Sequence, residues 1–411
     1  MPGSPTAVVP PQAMTPDADA TGEATSGTPP DPASWSARLA DAVRGLPDDV
    51  VARDAAAEPS RVGWERISAT GLFGLPFRAD RRRSDEALPA IVAGLETVAH
   101  ATGDAGLGFA ASTQLASAVV PLARFGTPDL RERYGAGLAA GTTVGAHAIT
   151  EPHAGSDVSA LRTTARRDGA TFVLDGDKAF VSNGPAADLF VVYAATGDGD
   201  AFGGLTAFLV ERTAPGLTVG PALATAGLRT CPLGRIGLRD VRVHESHVVG
   251  QPGAGSWLLG HVMAREILFI AAGHVGIMRR RLEQVVARVT EREQFGQPIG
   301  AFQAVSHAVA DLHVQTETAA KWVRDTTARL ANGEDATAEI AATKLVVSEA
   351  NVTTARTAVQ LFGGDGFLVE TGIERGLRDA VAGTIYSGTS EIQRNKLAAL
   401  LGVLPTAGAT L

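Results

Sequence analysis

At 411 residues the chain is long enough for two or three packed layers or domains around a substantial core. Its 36 basic and 44 acidic residues leave a mildly acidic balance, which argues against nucleic acid as the main partner. A single cysteine, Cys231, excludes an intrachain disulfide and fits a reducing compartment. With no matching base beside it, Cys231 reads as a buried bystander rather than a nucleophile. No apolar run approaches the roughly 18 residues needed to span a bilayer. The first Lys or Arg is Arg38, so the positive region of a secretory or transit signal is missing. The expectation is a soluble cytoplasmic protein with no membrane partner.

In chain order, residues 1 to about 33 are rich in Pro, Ala, Thr, Gly and Asp and hold no aromatic residue, which predicts a disordered tail. A helical domain is expected over 34–145. Within it Leu88, Ile91, Leu95 and Val98 form one stripe at helical spacing. Over 146–250 the period shortens to β-rich runs, Thr171-Phe172-Val173-Leu174, Leu189 to Tyr193 and Leu205 to Val210. Asp175-Gly176 and Asn183-Gly184 punctuate them as turns, and the reading is an inserted antiparallel β domain. From 251 to 403 helical periodicity returns in three long segments, about 256–291, 301–331 and 336–361. Gly363-Gly364 caps the third, and a shorter helix runs from about Glu391 to Leu401. Four helices with short connections predict an antiparallel bundle, with a second tail over 404–411. The class is α+β.

Several strings carry chemistry. In Thr150-Glu151-Pro152-His153-Ala154-Gly155-Ser156-Asp157, Pro152 and Gly155 bend the backbone and small residues let main-chain N–H groups approach an anion or a flat ring. Gly176-Asp177-Lys178-Ala179-Phe180-Val181-Ser182-Asn183-Gly184 alone could be any hairpin. Arg292-Glu293-Gln294-Phe295-Gly296-Gln297-Pro298-Ile299, followed by Phe302-Gln303, links two bundle helices. Gln360-Leu361-Phe362-Gly363-Gly364-Asp365-Gly366-Phe367 and Ile385-Tyr386-Ser387-Gly388-Thr389-Ser390-Glu391-Ile392 complete the set.

These strings, in this order from about residue 146 to 400, resemble the motifs of flavin-dependent acyl-CoA dehydrogenases, and the helical N-terminal region fits as well. The resemblance implies FAD as cofactor and a fold of N-terminal helical domain, middle antiparallel β domain and C-terminal four-helix bundle. By it, His147, Ile149, Thr150 and Gly155 meet the flavin, and Ser156 meets the pyrophosphate and the substrate. Phe180 lies beside the isoalloxazine and Ser182 near its N5. Arg292 and Gln294, with Phe295 and Gln303, reach the cofactor of a neighbouring subunit, which implies a homotetramer or at least a dimer. An arginine suits a pyrophosphate because its fork bonds two oxygens, although Arg292 could instead serve as a cation at a helix C-terminus. Gln360, Gly363, Gly364, Thr389 and Glu391 complete the cofactor contacts. Asp365 stands where Asn is commoner.

The family resemblance also exposes a departure. Most members carry glutamate just before Gly388-Thr389 to remove the substrate's α-proton, and here the residue is Ser387, whose hydroxyl is no base near neutral pH. A replacement is found on the helix from Ser256, where Val262, Glu266, Ile270 and Gly273 share one face. Carboxylates are made into general bases by apolar surroundings of this kind; the alternative is a structural salt bridge with Arg265 or another cation. A minority branch, including isovaleryl-CoA dehydrogenase, takes its base from this helix, seven residues before the first Gly of an A-x-G-x-x-G string. Counting back seven from Gly273 gives Glu266, although that branch has Arg after the glutamate and here Ile267 follows and Arg265 precedes.

The implied reaction is α-proton abstraction by Glu266 with β-hydride transfer to flavin N5, the thioester carbonyl bonding the backbone N–H of Ser387 beside Gly388. The implied substrate is a short or branched acyl or aminoacyl thioester on CoA or a carrier protein. The Ala-Gly-His-Val-Gly and Ile-Tyr-Ser-Gly-Thr-Ser strings resemble those of prolyl-carrier-protein dehydrogenases. The run Arg279-Arg280-Arg281 is either a docking patch for an acidic carrier or a solvated helix face. The electron acceptor is an electron-transfer flavoprotein or oxygen. Rival readings are a flavin monooxygenase or oxidase on the same fold, and a non-catalytic flavoprotein. The nine histidines show no metal-ligand spacing, and no metal is expected.

Overall fold

The computed structural model describes residues 30–46, 49–78, 85–197 and 204–403. The expected tails therefore lie outside the described residues, save for 30–33, where Asp31 already caps the first helix by accepting from Ser34 N–H.

Among the described residues the N-terminal region holds eight α-helices: α1 (Pro32–Val43), α2 (Val50–Ala56), α3 (Arg61–Ala69), α4 (Leu75–Arg78), α5 (Leu88–Thr102), α6 (Ala105–Gln114), α7 (Val120–Phe125) and α8 (Pro128–Ala139). The predicted stripe on α5 is buried at all four positions, against α1 on one side and the C-terminal helices on the other. Gly94 is small for a reason: a Cβ there would lie 2.8 Å from Leu39 Cδ1. A π-helical turn, Leu115–Val119, joins α6 to α7. The resulting Ala105–Phe125 rod and the later helix Gly255–Glu291 are both long and apolar enough to cross a membrane. This corrects the expectation that no stretch reaches that length. Both are core helices, with 89 % and 78 % of their most apolar windows buried inside the protein.

The middle region holds eight strands: β1 (Gly145–Ala148), β2 (Thr164–Asp168), β3 (Thr171–Ser182), β4 (Leu189–Ala195), β5 (Leu205–Glu211), β6 (Leu217–Val219), β7 (Leu233–His244) and β8 (Val248–Val249). Their order is β6-β7-β3-β2-β4-β5-β8, with β1 also on β4. The sheet is mixed rather than purely antiparallel, because β1 and β2 both run parallel to β4. They occupy successive stretches of one edge: β1 pairs along Leu189 to Val192 and β2 joins at Ala195. Residues 149–163 therefore leave the line of a single interrupted strand and return to it. Strand β7 went unnoticed in the sequence because its alternation of Ile236, Leu238, Val241 and Val243 slips at Arg239-Asp240, where Asp240 takes φ +52°.

All four expected C-terminal helices are present as α9 (Gly255–Glu291), α10 (Gln303–Ala331), α11 (Thr337–Phe362) and α13 (Ser390–Leu400), with a further helix, α12 (Ile373–Val381), between the last two. Helices α9, α10 and α11 pack on one another, α5 lies along α9, and α12 and α13 lie on α11. A two-stranded ribbon, β9 (Glu293–Gln294) and β10 (Gln297–Pro298), links α9 to α10. The Gly363 cap is seen, with φ +63°.

Candidate active site

The 149–163 excursion is held by a buried ion pair. Glu151 is 3 % exposed and accepts from Arg162 N–H (2.7 Å), Thr163 N–H (2.9 Å), the Thr163 hydroxyl (2.5 Å) and Lys178 Nζ (2.9 Å). Lys178, on β3, also donates to the Ile149 carbonyl at 2.9 Å, and Ala179 N–H donates to the Thr150 carbonyl at 2.8 Å. Burial alone would raise the Glu151 carboxyl, but Lys178, the Thr163 hydroxyl and the Arg162 N–H together hold it below its ordinary value. Burial pulls Lys178 down to about 8 against the opposing pull of Glu151. Both groups stay charged at neutral pH, and the excursion is clamped to β3.

The clamp sets the first group of expected cofactor residues side by side. Where β3 slips register between Lys178 and Val181, Phe180 adopts φ +54° and leaves its ring 59 % exposed. Ser182 lies two residues further along, and Thr150 is tied across through Ala179. Ile149 is half-buried, while Gly155 and Ser156 are exposed on the excursion, and a Cβ at Gly155 would meet nothing within 4 Å. His147 on β1 keeps a buried Nδ1 with no partner. An exposed flat ring, nearby hydroxyls, an open glycine turn and an unpaired buried ring nitrogen are a donor and acceptor set that fits a flavin.

Glu266 lies on the buried face of α9, 8 % exposed, with Val262 and Ile270 on the same face. Arg265 points elsewhere, onto Asp85 and the His261 carbonyl, so it does not pair with Glu266. Instead the Ser387 hydroxyl donates to Glu266 Oε1 at 2.5 Å, and His147 Nε2 stands 3.3 Å from Oε2, which has no hydrogen bond. Ser387 and Gly388 both have left-handed backbones, with φ +52° and +83°. A Cβ on Gly388 would fall 2.7 Å from Gln393 Nε2. The Ser387 N–H makes no hydrogen bond among the described residues.

Neighbouring groups show what this site admits. Tyr386 stacks against Phe109 with ring centres 4.8 Å apart and bonds His274 Nε2 at 2.7 Å. Burial, then the fields of Lys344 and Arg281, push His274 down to about 3, so it is neutral where it meets the Tyr386 hydroxyl. Burial and the charge of Glu266 raise the Tyr386 hydroxyl well above its usual value, so it remains protonated. The space beyond Glu266 along α9 is lined by Ile270, Gly273 and Ile277 with Gly108 and Phe109 of α6. A second space beside Ser387 is lined by Ile267, Ala271, Val347 and Gly383. His274 borders both, with Arg281 and Asp379 on the first and Lys344 on the second.

The remaining expected cofactor residues lie apart from this group. Arg292 ends α9 and its guanidinium makes no contact among the described residues, so it does not satisfy helix carbonyls. Gln294 bonds only the adjacent Glu293 carbonyl, and Phe295 is 93 % exposed, its ring against Phe302. Gln303 opens α10, and Gln360, Gly363 and Gly364 lie exposed at the end of α11, joined to α9 by an Arg288–Asp365 ion pair of 2.5 Å. Thr389 caps α13 by accepting from Ile392 N–H, with Glu391 exposed in its first turn. Within one chain, none of Arg292, Gln294, Gln303 and Gln360 touches Glu266. The Arg279–Arg281 run is neither a free docking patch nor a solvated face. Arg279 pairs with Glu96 and Glu317, Arg280 bonds the carbonyls of His100 and Ala101, and Arg281 is buried on Asn351 and Thr354. Cys231 is buried beside Asn183, its thiol pushed up to about 12 by burial, and is no nucleophile.

Sequence reasoning missed the Lys178–Glu151 clamp, the Tyr386–His274 pair and Gln393. The first had a signal, a lysine inside an inward-facing strand position; the other two did not.

The family model for the middle domain of acyl-CoA dehydrogenases matches residues 146–241, and that for the C-terminal domain matches 255–402. The L-prolyl-[peptidyl-carrier protein] dehydrogenase of a Serratia species is 34 % identical over 349 residues, 84 % of this chain and 89 % of its own. Among solved structures, the prolyl acyl carrier protein oxidase AnaB superposes with a TM-score of 0.85 at 33 % identity, over 90 % of this chain and 98 % of its own. PigA with FAD and proline does so with a TM-score of 0.83 at 31 % identity, over 90 % and 96 %.

Proposed function

The chain belongs to the acyl-CoA dehydrogenase family, and from that premise we propose that it performs α,β-dehydrogenation of a short or branched acyl or aminoacyl thioester. It is an FAD-dependent oxidoreductase acting on a CH–CH group. The observation that carries the finer reading is the buried Glu266 carboxylate held against Ser387, where the family's usual glutamate would stand.

Thr150, Phe180 and Ser182 would hold the isoalloxazine ring, and Thr389, with Arg292 and Gln360 of a second copy, the far half of the dinucleotide. Bound FAD supplies the acceptor for the β-hydride. Glu266 Oε2 carries no hydrogen bond and has a lone pair free for the α-proton. The unpaired Ser387 N–H is available to the thioester carbonyl, where negative charge builds as that proton leaves, and a donor already in place stabilises it without reorganisation. The mainly apolar spaces beside Ile270 and Ser387 would face the acyl group. Electrons leave to an electron-transfer flavoprotein or to oxygen.

A phosphopantetheinyl carrier protein is proposed over CoA. Similarity to the prolyl-carrier dehydrogenase supports this, and the internally engaged Arg279–Arg281 run does not. With one acyl group presented on both, kcat/KM is expected to favour the carrier at least about tenfold, a difference of about 1.4 kcal/mol. A clear preference for CoA overturns that choice.

The exposed Arg292, Phe295 and Gln303 support a homotetramer, or at least a dimer, in which they complete a neighbour's FAD site. Light scattering of the FAD-loaded protein is expected to give at least two chains. A monodisperse monomer that holds FAD tightly would remove those residues from the site.

A further inference from the structure

Ser387 is an unusual place for a side chain. Its φ of +52° is left-handed, a conformation that glycine adopts more easily than any residue with a Cβ. Nothing crowds the choice toward serine: Gly388 follows with φ +83°, and buried Gln393 braces the turn through the carbonyls of Ser387 (3.1 Å) and Gly388 (3.4 Å). These braces act on backbone atoms that glycine would share. A strained residue persists where its surroundings over-determine it, and such sites cluster at functional centres. The one hydrogen bond made by the Ser387 hydroxyl goes to Glu266 Oε1, at 2.5 Å.

We propose that Ser387 is a positioning residue for the base: its hydroxyl fixes Glu266 Oε1 and so presents Oε2 as the oxygen that meets the α-proton. This rests on the reading of Glu266 as that base. Glutamate has three side-chain torsions, and a base must be aimed as well as charged, since a displacement of about 1 Å can cost about a hundredfold in rate. The other groups facing Glu266 do not compete for Oε1. His147, from β1, stands on the Oε2 side at 3.3 Å. Tyr193, from β4, is fully buried with an unpaired hydroxyl, which burial and the charge of Glu266 keep protonated. The Tyr386 hydroxyl is hydrogen-bonded to His274, and Arg265, the preceding residue on α9, is engaged by Asp85. Lys344, from α11, shares the space beside Ser387 but bonds neither residue. During turnover Ser387 keeps its own proton and continues to donate to Oε1 while the α-proton arrives on Oε2.

Two substitutions separate the hydroxyl from the backbone. Ser387→Ala removes the hydroxyl and keeps the strained Cβ; Ser387→Gly removes both. If the hydroxyl aims the base, both FAD-loaded variants slow anaerobic single-turnover flavin reduction by about tenfold to a hundredfold, the range for a lost hydrogen bond to a charged group. The substrate dissociation constant stays within about twofold, and the isotope effect with α-deuterated substrate rises as proton removal becomes limiting. A purely structural serine predicts instead that glycine is tolerated and alanine is not. Wild-type reduction by either variant overturns the proposal. A readout that needs no turnover is the infrared carboxylate band of Glu266, identified by its loss in Glu266→Gln. It should shift in both Ser387 variants, and an unmoved band also overturns the proposal. The Glu266→Gln protein separates the two levels of failure. If it reduces flavin normally, the base assignment falls; if it is inert while both Ser387 variants stay fast, only the positioning role falls.

Discussion

Glu266→Gln is expected to give a folded, yellow, FAD-loaded protein that fails to bleach when mixed anaerobically with its thioester. Glutamine has nearly the same shape and can still accept from the Ser387 hydroxyl through its carbonyl oxygen, so packing against Val262 and Ile270 survives. What disappears is the basic oxygen. No second carboxylate stands in contact with Ser387 or His147 to replace it among the described residues. Loss of a general base costs about 10²–10⁴-fold, and more when no other route to the carbanion exists. The expected fall in the rate of flavin reduction is therefore at the upper end of that range. Bleaching near the wild-type rate would mean that another group takes the proton.

Lys178→Met is expected to act through stability. Lys178 is 1 % exposed and Glu151 3 % exposed, and removing one partner strands the other as a buried charge. Breaking such a pair costs about 3–5 kcal/mol. The loss should appear as a lower urea midpoint and as release of FAD, because the Ile149 carbonyl and Glu151 lose their tie to β3. The double substitution Glu151→Gln with Lys178→Met should recover part of the midpoint, since it removes both charges together. The pair also sets an acid limit. The Glu151 carboxyl is held below its unfolded value of 4.5, so its contribution is present above that pH and is lost as pH falls through the depressed folded value. Wild type should weaken below about pH 4.5, and Lys178→Met should lose part of that dependence. Equal midpoints for wild type and Lys178→Met would show that the clamp is not needed.

The sequence was most readable where one residue's neighbours decide its role. The α5 stripe and the Gly363 cap follow from local spacing, and the burial of Glu266 follows from the face it shares with Val262 and Ile270. Features made by chain segments far apart were not readable. The Ser387 hydroxyl reaches Glu266 across 121 positions, and Gln393 supports it from a helix whose pattern shows only an apolar face. Helix α12 was not expected from the sequence, and partners of its charged residues lie far along the chain. In the structure Arg378 pairs with Asp54 and Glu374, and the Asp379 carboxylate accepts the Leu228 N–H, so that polar side is partly interior. Parallel pairing of β1 and β2 with β4 cannot be seen from strand composition at all.

That interrupted edge has a consequence of its own. Because β1 and β2 are registered separately on β4, the segment between them is bounded by two independent anchorages and one clamp. Its outer residues, from Pro152 to Ser159, turn Ala154 and Val158 into the core and leave Gly155 and Ser156 exposed between those fixed ends. The architecture thus divides labour along a single stretch of chain: the sheet and the clamp fix the ends, and the detour between them presents Gly155 and Ser156 at a set place beside β3.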